Sequence, residues 1–291
     1  MPAGTIAELW RYPVKSMQGE RVEASEVTET GLAGDRAYAV VDEESGKVGS
    51  AKHPRLWGKL LQCRARNLFE PAGPDAAPIG IRLPDGSETG SEDPAVDDRL
   101  SAFFGRAVRL TTLAPEGNSY LAVWPEGVMP DEYLSQVAVS GDEDEGTLTQ
   151  LANAAAAAPG TFFDGAALHL VSVATLRRLG ELQPGSRFEV ARFRPNVVLE
   201  GDLPPFAENE WTGRMLGLGA QVTAPVLAPT MRCIMTTLAQ PDLPRDAEIL
   251  RTVSRHNRID IPGLGGWSCA GAYAGVTGSG AVTAGDRWAE Q

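Results

Sequence analysis

Short runs of apolar residues, interrupted by turn residues, organise the first third of the chain. Thr5–Tyr12 mixes polar and apolar positions, and Arg21–Thr28 follows as a second extended segment. Ala37–Asp42 and Lys47–Ser50 flank Glu43-Glu44-Ser45-Gly46, where the glycine suits a positive φ, so these four residues read as a hairpin connection. Ile79–Leu83 and Glu88–Gly90 flank Pro84-Asp85-Gly86-Ser87, a second turn signal. Asp98–Phe104 is expected as a short helix stopped by Gly105, and Ala107–Leu113 as a closing strand. The pattern predicts a sheet or barrel assembled from local hairpins.

Between Pro115 and Gly160 the pattern changes. Ser140–Gly146 holds an acidic run, Asp142 to Glu145, expected as a solvated loop, and Ala154–Ala158 is expected as a surface helix stopped by Pro159-Gly160. From Leu168 the apolar runs resume. Leu168–Val171 reads as a buried strand, and Ser172 as the cap of a helix over Val173–Leu182 whose Val173, Leu176 and Leu179 share a face. Strands are expected at Glu189–Val190, Val197–Glu200, Gln221–Leu227, Ala272–Val276 and Ala281–Val282, with a charged helix over Ala247–Asn257. Helix is the minority, and the fold class is a β-rich α+β protein.

Composition agrees: 32 glycines and 21 prolines among 291 residues favour a turn-rich chain over a helical bundle, and 43% apolar residues suffice for a sizeable core. The net charge of −12 has the wrong sign for nucleic acid or an anionic lipid surface. A small anion is still admissible, because a pocket can collect positive charge inside an acidic protein. No apolar signal segment opens the chain and no run is long enough for a membrane helix, so a cytoplasmic protein is expected. Three cysteines, Cys63, Cys233 and Cys269, form no CxxC pair and are expected as reduced thiols.

Four stretches carry chemistry. Tyr12-Pro13-Val14-Lys15-Ser16 ends a strand with an ammonium and a hydroxyl, a pair suited to a phosphate, or to solvent. Gly31-Leu32-Ala33-Gly34-Asp35-Arg36 turns tightly and presents an Arg that suits an oxyanion, or a surface ion pair. Arg192-Phe193-Arg194-Pro195-Asn196 places ionic and amide donors at the edge of an apolar strand, where a polar heterocycle could bind. Met231-Arg232-Cys233-Ile234-Met235 sets a thiol beside a guanidinium that favours thiolate, a fit ligand for a soft transition metal. Its bland alternative is a buried thiol acting as a small hydrophobe.

Taken together, YPVKSM (12–17), GLAGDRAYAVVD (31–42), SAKHPRL (50–56), LHLVSVATL (168–176), RFRPNVVLEGDLPPFAENEW (192–211), RCIMTT (232–237) and the closing GAYAGV and GAVTAGDRW (271–288) resemble, in order, the MOSC family of molybdenum-cofactor-binding domains. That family includes the amidoxime-reducing component and bacterial reductases of N-hydroxylated bases. The resemblance implies two parts, an N-terminal MOSC-type β-barrel over 1–120 and the MOSC β-barrel domain over 121–291, with a few helices. It implies Cys233 as the catalytic thiolate on molybdenum, and Lys15, Ser16, Arg36, Ser172, Arg194, Asn196, Arg232 and Tyr273 around the molybdopterin phosphate and pterin. The implied activity is reduction of N-hydroxylated substrates such as amidoximes, hydroxylamines or N-hydroxylated bases, with electrons from a separate ferredoxin, flavodoxin or cytochrome. The alternative is a cofactor carrier or sulfur-transfer protein related to the C-terminal domain of molybdenum cofactor sulfurases. Two departures stand out: Thr230 occupies a position where amidoxime-reducing members often carry a second Cys, and the acidic segment near 114–160 has no counterpart in the resemblance.

Overall fold

Nine strands hydrogen-bond into one sheet, and among the described residues seven of them close into a barrel. The structure, a computed structural model, describes residues 2–73, 75–114, 119–143, 146–152 and 161–291. Around the ring run Leu168–Ser172, Val197–Gly201, Ala3–Arg11, Arg287–Glu290, Met215–Leu218, Val222–Met231 and Gly265–Ala274, which pairs back to Leu168–Ser172. Leu168–Ser172 and Val197–Gly201 are parallel, and the other joints are antiparallel. The parallel joint needs a crossover, and the helix Val173–Leu182 supplies it.

Period-two alternation explains which residues fill the barrel. Leu168 and Leu170, Leu216 and Leu218, Val222 and Ala224, and Ala272 and Ala274 all turn inward and are fully buried. Burial of each such Leu or Val contributes roughly 1.5–3 kcal/mol. Trp211 and Trp288 cap the cluster, their rings 5.7 Å apart. The first strand, Ala3–Arg11, lies between Val197–Gly201 and Arg287–Glu290, so both ends of the chain share one wall.

A second core, with Val14, Met17, Trp57, Leu60, Ile81 and Leu100, lies beneath the strands Arg64–Asn67, Ile79–Arg82 and Glu88–Gly90 and the helix Val96–Phe104. That helix ends at Gly105 in the left-handed conformation, as the glycine predicts. A third assembly is a three-stranded antiparallel sheet of Ser119–Trp124, Gly146–Ala152 and Ala138–Glu143, with the short helix Asp131–Leu134.

Local expectations needed correction in places. Glu189–Val190 is not a strand: the helix Val190–Phe193 occupies the place, and a single apolar position was too little to separate the alternatives. Lys47–Ser50 touches its hairpin partner only through the bridge Val41–Val48. The acidic run begins inside a strand, since Asp142 and Glu143 belong to Ala138–Glu143, while residues 144 and 145 and the alanine run 154–158 lie outside the described residues. Gln221–Leu227 is the first part of a longer strand, Val222–Met231, which delivers Arg232 and Cys233 to its end.

Candidate functional site

The strand Ala3–Arg11 stops before Pro13, and the chain turns so that Lys15 enters the protein interior. Its Nζ donates to the Phe162 carbonyl at 2.9 Å and pairs with the Asp164 carboxylate. Burial pulls this ammonium below its ordinary range even though Asp164 works in the opposite direction. Ser16 follows with φ 64°, and its Oγ accepts from the Ala51 N–H at 3.1 Å.

Gly34, at φ 77°, tightens the next turn and leaves Asp35 buried. Asp35 Oδ1 accepts from the Tyr12 N–H at 2.6 Å; Oδ2 accepts from Asn196 Nδ2 at 2.9 Å and from Arg36 Nη1. Arg36 Nη2 donates to the Arg194 carbonyl at 3.2 Å. Both guanidiniums lie over the Tyr12 ring, Arg36 at 4.7 Å and Arg194 at 4.2 Å. Arg194 caps the helix Val190–Phe193 with φ 55°, which throws its side chain toward Arg36. Burial first, then the neighbouring Arg36, brings the Arg194 guanidinium down to about 10. Arg36 has Asp35 as its counter-ion, whereas the buried Arg194 donates to the Met17 carbonyl and has no carboxylate partner among the described residues, which leaves room for an anion.

Asn196 Oδ1 accepts from the His169 N–H at 3.0 Å. The His169 ring spans the Arg194 carbonyl, 3.3 Å from Nδ1, and Arg232 Nη1, 3.4 Å from Nε2. Burial and the nearby Arg232 hold this imidazole well below its ordinary pKa, so it is neutral. A proton on Nδ1 then leaves Nε2 as acceptor for Arg232. Arg232 Nη2 donates to the Phe193 carbonyl at 2.8 Å, while its Nε is buried with no partner among the described residues. That orphaned N–H is the second sign of a missing acceptor.

Cys233 opens the single turn Ile234–Thr237 and is half-buried, unlike Cys63 and Cys269, which are fully enclosed. Burial raises those two thiols to about 12 and leaves them inert. Tyr273 stands beside His169, ring centroids 5.8 Å apart. Gly165 passes so close that a Cβ there would lie 2.6 Å from Tyr273 Cζ, which keeps the position to glycine.

One cavity of about 350 Å³ is lined by Lys15, Ser16, Arg36, Arg194, Asn196, Arg232, Cys233 and Tyr273. Four positions other than glycine have a positive φ among the described residues, and three of them, Ser16, Arg36 and Arg194, line this cavity. Such backbone strain collects where side chains must be aimed. Ser172 is not among the lining residues. Its hydroxyl accepts from the Thr175 N–H at 3.1 Å and its own N–H donates to Glu208, so it is committed to capping the helix Val173–Leu182. His53 likewise serves as a cap, its Nδ1 accepting from the Leu56 N–H. Arg192, beside Arg194 in sequence, spreads its guanidinium over the carbonyls of Arg187, Thr236, Leu238 and Pro244 and acts as a structural clamp.

Sequence reasoning did not single out Lys52, Tyr120 and Asp164, all of which line the cavity. Lys52 Nζ donates to the Tyr120 hydroxyl at 3.1 Å and pairs with Asp164 at 3.3 Å. Although burial acts against it, Asp164, then Tyr120 and Cys233, hold Lys52 well above its usual range. Lys52 belongs to the stretch SAKHPRL, so proximity to a motif was the one available signal. No group of three His, Cys, Asp or Glu side chains gathers to hold a metal among the described residues. A metal at Cys233 would thus take one protein sulfur and further ligands from a cofactor. The half-buried thiol, the cation cluster and the orphaned Arg232 N–H fit a cofactor that carries both phosphate and metal.

Residues 3–106 match the MOSC N-terminal beta barrel domain and residues 158–288 the MOSC domain. The chain is 28% identical over 255 residues to mitochondrial amidoxime reducing component 2 of Rattus norvegicus, covering 82% of this chain and 68% of the relative. Against mitochondrial amidoxime-reducing component 1 of Mus musculus it is 27% identical over 257 residues, covering 82% and 66%. It is also 27% identical over 292 residues to molybdenum cofactor sulfurase of Anopheles gambiae, covering 94% of this chain but 34% of the relative. It therefore spans about two thirds of the amidoxime-reducing relatives and about one third of the sulfurase. Among solved structures, the YUAD protein from Bacillus subtilis aligns over 98% of this chain and 94% of its own, with TM-score 0.40 and 11% identity.

Proposed function

This chain belongs to the MOSC family, and we propose that it is a molybdenum-cofactor-dependent oxidoreductase that removes oxygen from N-hydroxylated substrates such as amidoximes, hydroxylamines or N-hydroxylated bases. The observation that carries this reading is the meeting of Cys233 with Lys15, Arg36, Arg194 and Arg232 around one cavity, from segments far apart in sequence. The names of the amidoxime-reducing relatives support the reaction class.

Lys15, Arg36 and Arg194 would hold the cofactor phosphate, with Arg232, Asn196, Ser16 and Tyr273 facing the pterin. Cys233 would supply the protein's sulfur to the metal. The bound cofactor supplies two-electron chemistry at molybdenum, which the amino acids cannot provide. His169, held neutral, keeps Arg232 oriented without adding a charge that would repel it. Electrons would come from a separate ferredoxin, flavodoxin or cytochrome, in a cytoplasmic setting. No helix among the described residues is long and apolar enough to cross a membrane.

Metal analysis of the purified protein and assay of benzamidoxime reduction with a dithionite-reduced dye test the proposal. Cys233→Ser is expected to abolish turnover, at least about a hundredfold down, while circular dichroism and melting temperature stay near those of the parent. Full turnover in that variant would remove Cys233 from the metal. A second reading, cofactor carrier or sulfur transfer, draws on the match to molybdenum cofactor sulfurase across 94% of this chain. A persulfide on Cys233 by mass spectrometry, with no turnover of any N-hydroxylated compound, would favour it.

A further inference from the structure

Residues 107–157 lie between the two family matches, yet they send four side chains into the cavity: Tyr120, Trp124, Tyr133 and Leu151. Tyr120 joins the cationic floor, its ring 4.8 Å from Lys15 Nζ and 4.9 Å from Lys52 Nζ. The other three belong with Trp267 to one apolar cluster and make a wall. Trp124 meets Trp267 edge-on at 5.4 Å, and Tyr133 meets it at 5.2 Å. Both indole N–H groups are already bonded, Trp124 to Thr149 Oγ1 at 2.9 Å and Trp267 to the Leu264 carbonyl at 3.0 Å. What the two indoles offer the cavity is therefore hydrocarbon. Cys233 and Met231 pack against this same cluster, so the thiol lies where the cationic floor meets the aromatic wall.

The wall is fixed in place. Val123 N–H donates to the Lys52 carbonyl at 2.7 Å, Gln136 Nε2 to the Gly263 carbonyl at 2.9 Å, and Arg258 Nη1 to the Gly127 carbonyl at 2.9 Å. Gly265 lies so close beneath that a Cβ there would meet Pro130 Cβ at 2.7 Å. A rigid aromatic surface selects by shape and by ring contact, because little ordering remains to be done on binding.

We propose that Trp124, Tyr133 and Leu151, together with Trp267, form the substrate-selecting wall of the site, favouring N-oxygenated substrates that carry a flat aromatic ring over small aliphatic ones. This rests on the reductase reading above for the reaction, but not for the binding. Cys233 packs against the same cluster as this wall, and the wall residues carry no charge to recruit an ionic substrate.

Cofactor-loaded parent, Tyr133→Ala and Trp124→Leu proteins are assayed with benzamidoxime and acetamidoxime, and benzamide binding is followed by tryptophan fluorescence in loaded and cofactor-free protein. Tyr133 is half-buried and its loss should leave the fold intact, whereas Trp124 is buried and its variant needs a melting curve beside it. The expected result is a fall of about tenfold in the benzamidoxime-to-acetamidoxime ratio of kcat/KM, with benzamide binding weakened by a similar factor. An unchanged ratio and unchanged benzamide affinity in folded Tyr133→Ala, or no benzamide binding by the parent, would overturn the wall. If neither oxime is reduced by the parent but Tyr133→Ala still weakens benzamide binding, the wall stands and the reductase reading falls.

Discussion

Asp35 joins three segments through two oxygen atoms, and from it a line of hydrogen bonds runs to the far side of the cavity. Arg36 leads to Asp35, Asp35 to the Asn196 amide, Asn196 to the His169 N–H, and the His169 ring to Arg232. Each member holds the next, so two guanidiniums from segments far apart in sequence share one scaffold. The link most exposed to pH is His169. The unfolded chain takes up a proton on this imidazole near its ordinary value of about 6.5, whereas the native state resists until well below it. The unfolded state thus binds more protons in that window, and stability rises with pH there. We expect the unfolding free energy to drop by up to about 1.4 kcal/mol between pH 7.5 and 5.5 from this group. Urea unfolding at the two pH values should show the drop in the parent and a smaller one in His169→Gln; equal drops would remove His169 as the cause.

At the scale of elements, the barrel seam is irregular beside Cys233. Opposite the strand Gly265–Ala274, the register of Val222–Met231 slips between Pro229 and Met231, so Ala270 and Gly271 face Thr230 alone. Gly271 makes this possible with φ 87°, and a Cβ there would lie 2.4 Å from the Leu170 carbonyl oxygen. The extra residue lies on Gly265–Ala274, next to the point where Arg232 and Cys233 leave the end of the facing strand. Gly271→Ala is expected to cost more than about 2 kcal/mol of stability, read as a lower urea midpoint; a parent-like midpoint would show the seam tolerates a side chain. Much at this scale was legible beforehand. Ser172 announces the helix Val173–Leu182, Gly105 the end of Val96–Phe104, and the apolar run Leu168–Val171 a buried strand. The sheet Ser119–Trp124, Gly146–Ala152 and Ala138–Glu143 was not, because threonines, alanines and acidic residues blur its alternation. The pairing of Lys15 with Asp164 was not legible either: 149 residues separate the partners, and only folding brings them together. Ser172 shows the opposite case, a hydroxyl matched by resemblance whose hydrogen bonds are all used by its own helix and Glu208.

For the whole molecule, the charge of −12 and a cavity lined with Lys15, Arg36, Lys52, Arg194 and Arg232 belong together. The cations are drawn inward and the excess of carboxylates is left for the surface. The ring of strands is likewise a property of the entire chain, because Ala3–Arg11 fills the gap between Val197–Gly201 and Arg287–Glu290. Deleting residues 1–11 is expected to abolish cooperative thermal unfolding, since Ile6 and Leu9 leave the core and two neighbouring strands gain bare edges. Calorimetry checks this, and a sharp parent-like transition in the truncated protein would show that the barrel closes without its first strand.

The same arrangement sets an order of events during synthesis. The first strand emerges from the ribosome long before Arg287–Glu290, so it must wait with one backbone flank unmatched. The ring stays open until Arg287–Glu290 has been made, and the waiting nascent segment is where a chaperone would act.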